Sequence, residues 1–495
     1  MSYDAVVAGG GHNGLVCAAY LARGGRRVAL LERRARTGGV LDGVLTTVGR
    51  LDEAVIADLA LDRHGLDVVR PEVRMLALRE GAAPIAFWAD AGRTAAELEP
   101  VSAADAGAYP RFDAHIRALA GFVAELAHVT PPRLDRGAVR DWQAGVRLAR
   151  AYRRLEPRTA RELTRALPMA AADLVGEWFE ADAVRAALAA RGSLFTAMGP
   201  WSAGTAAVLV ADAAGNDGGA AGQSAFARGG PMALAHALEA AAAAAGVEVR
   251  TGAEVASLLV RDGRVAGVLL ASGEEVEAPV VACGVDPKTV LLRWLDPEEA
   301  GPQLRWRAGN IRTPGATAVV ELELSAEPEF AGVDDPARLA GRILVARGVD
   351  EGERAFDRWK YGELSERPLV EAVMQDGTLR ALVQWVPAAA DPDAVGDVVV
   401  AELARYAPGL EALVAGRRVL TPAALEAEFG MSGGHLYHVE PGLDQFFAWR
   451  PVLGLARYRL AVPGLYLCGS GAHPGGGITG GPGRNAARAI LHDTG

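Results

Sequence analysis

A chain of 495 residues, half of them hydrophobic and 23% charged, is long enough for about three domain-sized units around a large core. That balance excludes a disordered tail, a collagen-like repeat and a small cross-linked scaffold, and it defines a soluble globular class. The formal charge of −10 argues against tracking a phosphate backbone, so no nucleic-acid partner is expected.

The N-terminus runs straight from Met1 to Asp4 and a strand-like stretch, with no basic n-region and no cleavable apolar segment, and this predicts a protein that is not exported by a standard signal. Ala5, Val6, Val7 and Ala8 read as a short buried strand; Leu15, Ala18, Ala19 and Ala22 follow at helical spacing. In the turn between them Gly9, Gly11 and Gly14 complete GxGxxG. The first glycine permits the tight turn, the second lets backbone approach a pyrophosphate, and the third lets helix pack on strand. The helix N-terminus then faces the phosphates. A second strand, 28–31, delivers Glu32 at the spacing where a carboxylate binds an adenosine ribose. Gly38 and Gly39 add a second close backbone approach, which suits FAD better than a nicotinamide cofactor. Cys17, Cys283 and Cys468 are widely spaced with no CxxC, so a disulfide framework, a dithiol redox pair and a zinc site are not expected, and a reducing cytoplasm fits.

Residues 51–130 mix helices with a strand near 75–78 and hold no cluster that announces chemistry. Ten arginines fall in 133–165. Of these, Arg136, Arg140, Arg147, Arg150, Arg154, Arg158, Arg161 and Arg165 are spaced to share one broad helical face. Such a face is ordinarily solvated; its sharper alternative is docking onto an acidic partner or anionic lipid headgroups, which leaves a membrane-peripheral location open. The most apolar long stretch, 232–249, carries His236, Glu239, Gly246 and Glu248 and reads as a core helix entering a strand, not a membrane span. A hairpin follows, 255–260 and 265–270 about Asp262 and Gly263, then a short strand at 280–283. Further strands are expected at 317–324 and 381–386, with helix around 395–406.

Near the C-terminus a strand enters a glycine-dense loop and exits into a helix: GLYLCGSGAHPGGGITGGPGRNAA, residues 464–487. Gly475, Gly477 and Gly480 also match GxGxxG, but no strand abuts them, so no second nucleotide domain is expected. Backbone N–H groups at such a helix start suit the N1 and C2 carbonyl edge of a flavin as charge builds there. His435 and His438 flank Tyr437; two imidazoles without a third ligand do not make a metal site.

GGGHNG with LxxAAYLARxGRRVxLLERR, RGGPMALAHAL, GGHLYHVEPGLDQ and the C-terminal glycine run together resemble the phytoene dehydrogenase-like FAD oxidoreductases, relatives of carotenoid desaturases and isomerases and, more distantly, of amine oxidases. The resemblance implies an α/β fold: a discontinuous, Rossmann-like FAD domain of the glutathione-reductase type from 1–70, 215–290 and 425–495, with a mixed α+β substrate domain inserted as 71–214 and 291–424. It implies contacts of Gly9, Gly11, Gly14 and Glu32 with the ADP half, with Arg33 beside them. Gly39 and Val40 would border pyrophosphate and flavin, Val255 would offer backbone to adenine, and Gly469, Gly477 and Ile478 would line the flavin. Gly469-Ser470 departs from the aspartate that many flavoproteins of this fold place after the final strand, and Val40-Leu41-Asp42-Gly43 leads to a helix at Asp52 sooner than in many relatives.

With no NAD(P)H domain of its own, the flavin is expected to take a hydride at N5 from an apolar or medium-sized organic substrate, desaturating a C–C or C–N bond, and to pass electrons to an external acceptor such as oxygen, a quinone or a carrier. His473, in the glycine loop, is the candidate catalytic residue because an ordinary imidazole titrates at ~6.5; a loop-bracing hydrogen bond is the bland alternative. Two rival functions stay open: a flavin-dependent isomerase with no net oxidation, and a lipid-binding escort protein that has lost the flavin.

Overall fold

The structure is a computed structural model that describes residues 3–132, 139–215 and 219–495. Its first strand, Ala5–Ala8, buries all four side chains. A strand apolar on both faces needs cover on both. The helix His12–Arg23, which packs against Met232–Ala244 and the C-terminal helix Gly481–Thr494, belongs to that cover. The resulting five-stranded sheet is parallel throughout, in the order Leu465–Leu467, Val281–Cys283, Ala5–Ala8, Val28–Glu32, Glu248–Thr251. Its strands come from three separate stretches of chain, so this Rossmann-like sheet is discontinuous in sequence. The hairpin forms as expected: Val255–Arg261 and Arg264–Leu270 pair about Asp262 and Gly263, both at positive φ as a two-residue turn requires.

A seven-stranded mixed sheet takes Val73–Ala77 and Ile85–Trp88 from one region and five strands between 317 and 420 from another. It includes Thr317–Leu324 as expected, while the strand expected at 381–386 lies at Thr378–Gln384. Helices cover it, among them Ala103–Ala127, Asp182–Ser193 and Thr205–Asp212, through an apolar cluster that includes Phe112, Leu188 and Leu209.

One expectation is corrected by the fold. The arginine stretch does not form one continuous helical face: Val139–Arg154 ends and Pro157–Ala166 begins anew, with proline at its first position. Arg133 and Arg136 lie outside the described residues. Arg165 is spent on Glu162 and Glu177, at 2.9 and 2.7 Å. The cysteines, distant in sequence, meet in the core. The Cys17 thiol lies against Cys468 with Cys283 nearby; all three are buried free thiols, and burial helps push Cys17 and Cys283 above the usual thiol range.

A buried ionic group ties the seven-stranded sheet to its helices. Glu371 accepts from Arg342 at 2.7 Å and from Arg191, while Arg191 also holds Asp212 and Arg342 donates to Ser224 Oγ at 3.0 Å. Two cations meet two anions, so the group is balanced. Removing one charge leaves a buried cation without its partner. Glu371→Gln is expected to destabilise the fold by about 3–5 kcal/mol, read by urea unfolding; a loss below about 1 kcal/mol would show that water or rearrangement compensates.

Candidate cofactor and active site

The N-terminal turn is shaped by clearance. Gly9 sits at φ 110°, and a Cβ on Gly14 would overlap the Gly9 carbonyl, so only glycine lets the helix start against the strand end. A Cβ on Gly11 would meet nothing within 4 Å, because that face opens onto a cavity. Gly38 donates to the Gly10 carbonyl at 2.9 Å, which lays the second glycine pair beside the first. Glu32, at the end of its strand, is 8% exposed; its carboxylate accepts from Gly10 N–H at 2.7 Å and Arg34 N–H at 2.9 Å. Arg33 reaches across to the carbonyl of Glu428 at 2.6 Å.

Two adjoining cavities run along this turn. One is walled by Glu32, Arg33, Val255 and Trp294; the other by Gly11, Asn13, Gly39, Val40, His438 and Ser470. Gly9, Glu32, Val285, Phe429 and Gly430 belong to both walls. In the second, His12 Nε2, Asn13 Oδ1 and His438 Nδ1 are buried without a partner. Buried polar atoms are ordinarily satisfied, so this wall fits a polar ligand. Burial holds His12 at about 3 and His438 at about 4, so both rings are neutral at working pH. Asp286, also on the wall, is already occupied by Lys288 N–H, Thr289 and Ser432 Oγ. A helix N-terminus, open glycine backbone and unmet polar atoms are polar groups of the kind a dinucleotide cofactor meets.

The C-terminal loop closes the arrangement. Asn13 Nδ2 donates to Ser470 Oγ at 3.1 Å, and Asp52 N–H to the Thr479 carbonyl at 3.0 Å. Gly469 does not border these cavities; a Cβ there would overlap Gly284, so it sets the spacing of two strand ends. Gly477 has φ 102° and Ile478, buried, φ 51°, a conformation a β-branched residue holds only when its surroundings impose it. Gly476 lies flat against the Tyr437 ring, which packs on Phe195 at 4.9 Å between centroids. Arg450, fully buried, fastens the same segment by donating to the Ser470, Val439 and Tyr437 carbonyls at 2.9, 3.2 and 3.3 Å.

His473 lines a third cavity between the glycine loop and the ends of the helices Ala103–Ala127 and Thr205–Asp212. The expectation of a ring that titrates near neutrality is corrected here. Burial lowers its pKa to about 4, and its Nε2–H donates to the Leu126 carbonyl at 3.0 Å. Nδ1 is left bare. His435 and His438 do not act together: His435 donates from Nε2 to Glu440 at 3.0 Å and accepts Tyr437 N–H at Nδ1, while His438 belongs to the second cavity. Arg50, Asn13 and the Phe195–Tyr437 pair escaped the sequence reading. Asn13 carries a signal, the polar HN inside the glycine motif, whereas Arg50 meets Gly476 only through a contact 426 residues away.

Fold and cavity together define a dinucleotide-binding oxidoreductase class. The profile of the flavin-containing amine oxidoreductases matches residues 14–491, and the chain belongs to that family. It is an FAD-dependent oxidoreductase. It is 30% identical, over 99% of its length and 94% of the relative, to pyridine nucleotide-disulfide oxidoreductase domain-containing protein 2 of Rattus norvegicus. To a limonene dehydrogenase component of Castellaniella defragrans it is 24% identical, over 99% of this chain and 95% of that one. Hydroxyneurosporene desaturase of Rubrivivax gelatinosus is 29% identical over 50% of this chain and 48% of its own. Putrescine oxidase bound to putrescine shares the fold, with TM-score 0.61, 14% identity, and coverage of 100% and 99% of the two chains. No helix among the described residues is long and apolar enough to cross a membrane.

Two outcomes follow from this geometry. Glu32→Ala removes a carboxylate from the cavity wall and also strands two backbone N–H groups; hydrogen bonds to a charged group are worth ~1.5–3 kcal/mol, so FAD affinity should fall roughly ten- to a hundredfold, measured by flavin release. Unchanged affinity would place Glu32 outside the cofactor contacts. The pH profile of kcat/KM should show no limb from His473 near pH 6–7, so His473→Asn should keep its shape; loss of such a limb would show that the ring titrates there after all.

Proposed function

We propose that the protein dehydrogenates an apolar or medium-sized organic molecule at a C–C or C–N bond and passes the electrons to an external acceptor. When bound, FAD supplies a two-electron acceptor for the hydride that the substrate loses. The observation that carries this reading is the third cavity, a mostly apolar space with a few polar groups in its wall, the composition typical of small-molecule sites. It sits on the glycine loop and is walled largely by Val123, Leu126, Ala127, Ala211 and Phe446.

In this reading Gly9, Gly11, Gly14, Glu32 and Arg33 hold the ADP half, Val255 borders adenine, and Gly39 and Val40 border the pyrophosphate and flavin. Gly477 and Ile478 border the flavin, with Gly469 fixing the loop behind them. His473 serves through its bare Nδ1 as a hydrogen-bond acceptor that orients the substrate, since a ring that is neutral down to about pH 4 is a weak proton acceptor. We assign the FAD domain to 1–70, 215–290 and 425–495, and the substrate domain to 71–214 and 291–424. The full-length likeness to a protein named for limonene dehydrogenase supports oxidation at carbon.

Anaerobic mixing with a panel of alicyclic, polyene and amine candidates tests the reading. One class should bleach the oxidised-flavin absorbance and yield a product two hydrogens lighter. A product of unchanged mass would make the protein an isomerase, and a purified chain that takes up no FAD would overturn the assignment.

A further inference from the structure

We infer that the cavity beside the glycine loop takes an organic acid, with Arg50 as the residue that binds its carboxylate. The inference rests on the proposed function and names the substrate class of that same cavity. Arg50 stands on a segment stitched at both ends: Val48 N–H donates to the Ala225 carbonyl at 2.8 Å and Asp52 N–H to Thr479 at 3.0 Å. From there it donates through Nη1 to the Gly476 carbonyl at 3.3 Å, and its guanidinium occupies the space a side chain on Gly477 would need. The cation therefore lies on the loop assigned to the flavin, at the wall of the third cavity.

What singles it out is charge balance. Besides His473, three polar groups with charge or ring nitrogens line that cavity: Arg50, Asp52 and His128. Asp52 is fully engaged, its Oδ1 by Ala54 N–H at 2.9 Å and its Oδ2 by Arg484 at 2.9 Å. His128 accepts Arg484 at Nδ1, at 2.9 Å, which leaves its ring proton on Nε2 as a donor. The Asp212 carboxylate attracts Arg50 but is bound by Arg191. Among the described residues no carboxylate lies within ion-pair distance of Arg50, and its Nε–H is buried without an acceptor. Among the described residues this guanidinium has no carboxylate partner, and its planar fork matches a carboxylate in two hydrogen bonds. The remaining walls are largely apolar. A molecule with a hydrocarbon body and one acid group satisfies both.

Calorimetric titration of the FAD-loaded protein with decanoate, 1-decanol and decylamine tests this. Decanoate should bind at least about tenfold tighter than the alcohol, the scale of a charge-assisted pair, and the amine weakest. Arg50→Gln should abolish the preference while alcohol affinity stays within about twofold, and Arg50→Lys should keep part of it. Equal affinities, a preference for the amine, or no binding of any of the three would overturn the assignment. The wild-type comparison decides even if Arg50→Gln fails to fold. An acid that binds but whose relatives never reduce the flavin would contradict the dehydrogenase reading alone; a neutral substrate that reduces it without any acid preference would contradict Arg50 alone.

Discussion

Close backbone approach is the constraint on which the rest of this molecule depends. Gly14 passes the Gly9 carbonyl, Gly469 passes Gly284, and Gly483 passes Asn13, each with no room for a Cβ. These three crossings bring the first strand-turn-helix, the strand Val281–Cys283 and the C-terminal loop to one line. Interiors are packed too densely to absorb a misplaced methyl, so the crossings fix the cofactor cleft to within small distances. They also bring the three thiols together: Cys17, Cys283 and Cys468 each lie within a few residues of one of these glycines and are fully buried.

Charge is then placed where the packing leaves it. The seven-stranded sheet and its helices enclose Arg191, Arg342, Asp212 and Glu371 as a closed set, while Arg450 is held by main-chain carbonyls, Ser470 of the glycine loop among them. Burial lowers Arg450 to about 10. Arg50 differs from both: it stands at a cavity wall with one hydrogen bond to a carbonyl. Closed ionic sets hold elements together, and an open one is positioned to meet a ligand.

Much of the cofactor half was legible because its determinants are local. Gly9, Gly11, Gly14 and Glu32 lie within one strand-turn-helix-strand, and the Asp262 and Gly263 turn sets its hairpin by its own φ angles. The long-range contacts were not legible in the same way. The Phe195–Tyr437 pair and the Arg50 contact with Gly476 join residues hundreds of positions apart. The helical periodicity of the arginines concealed Pro157, which restarts the helix within the run. His473 was found by its place in the loop, but its basicity is set by burial and by Leu126, neither of which a motif records.

The most direct measurement is a crystal structure of the purified holoprotein. One FAD should lie across the two joined cavities, with adenosine at Glu32 and Val255 and the ring against Gly477 and Ile478, its open face toward the cavity that Arg50 and His473 line. A flavin ring seated elsewhere, or one sealed from that cavity, would contradict the placement of cofactor and substrate on the two sides of one glycine loop.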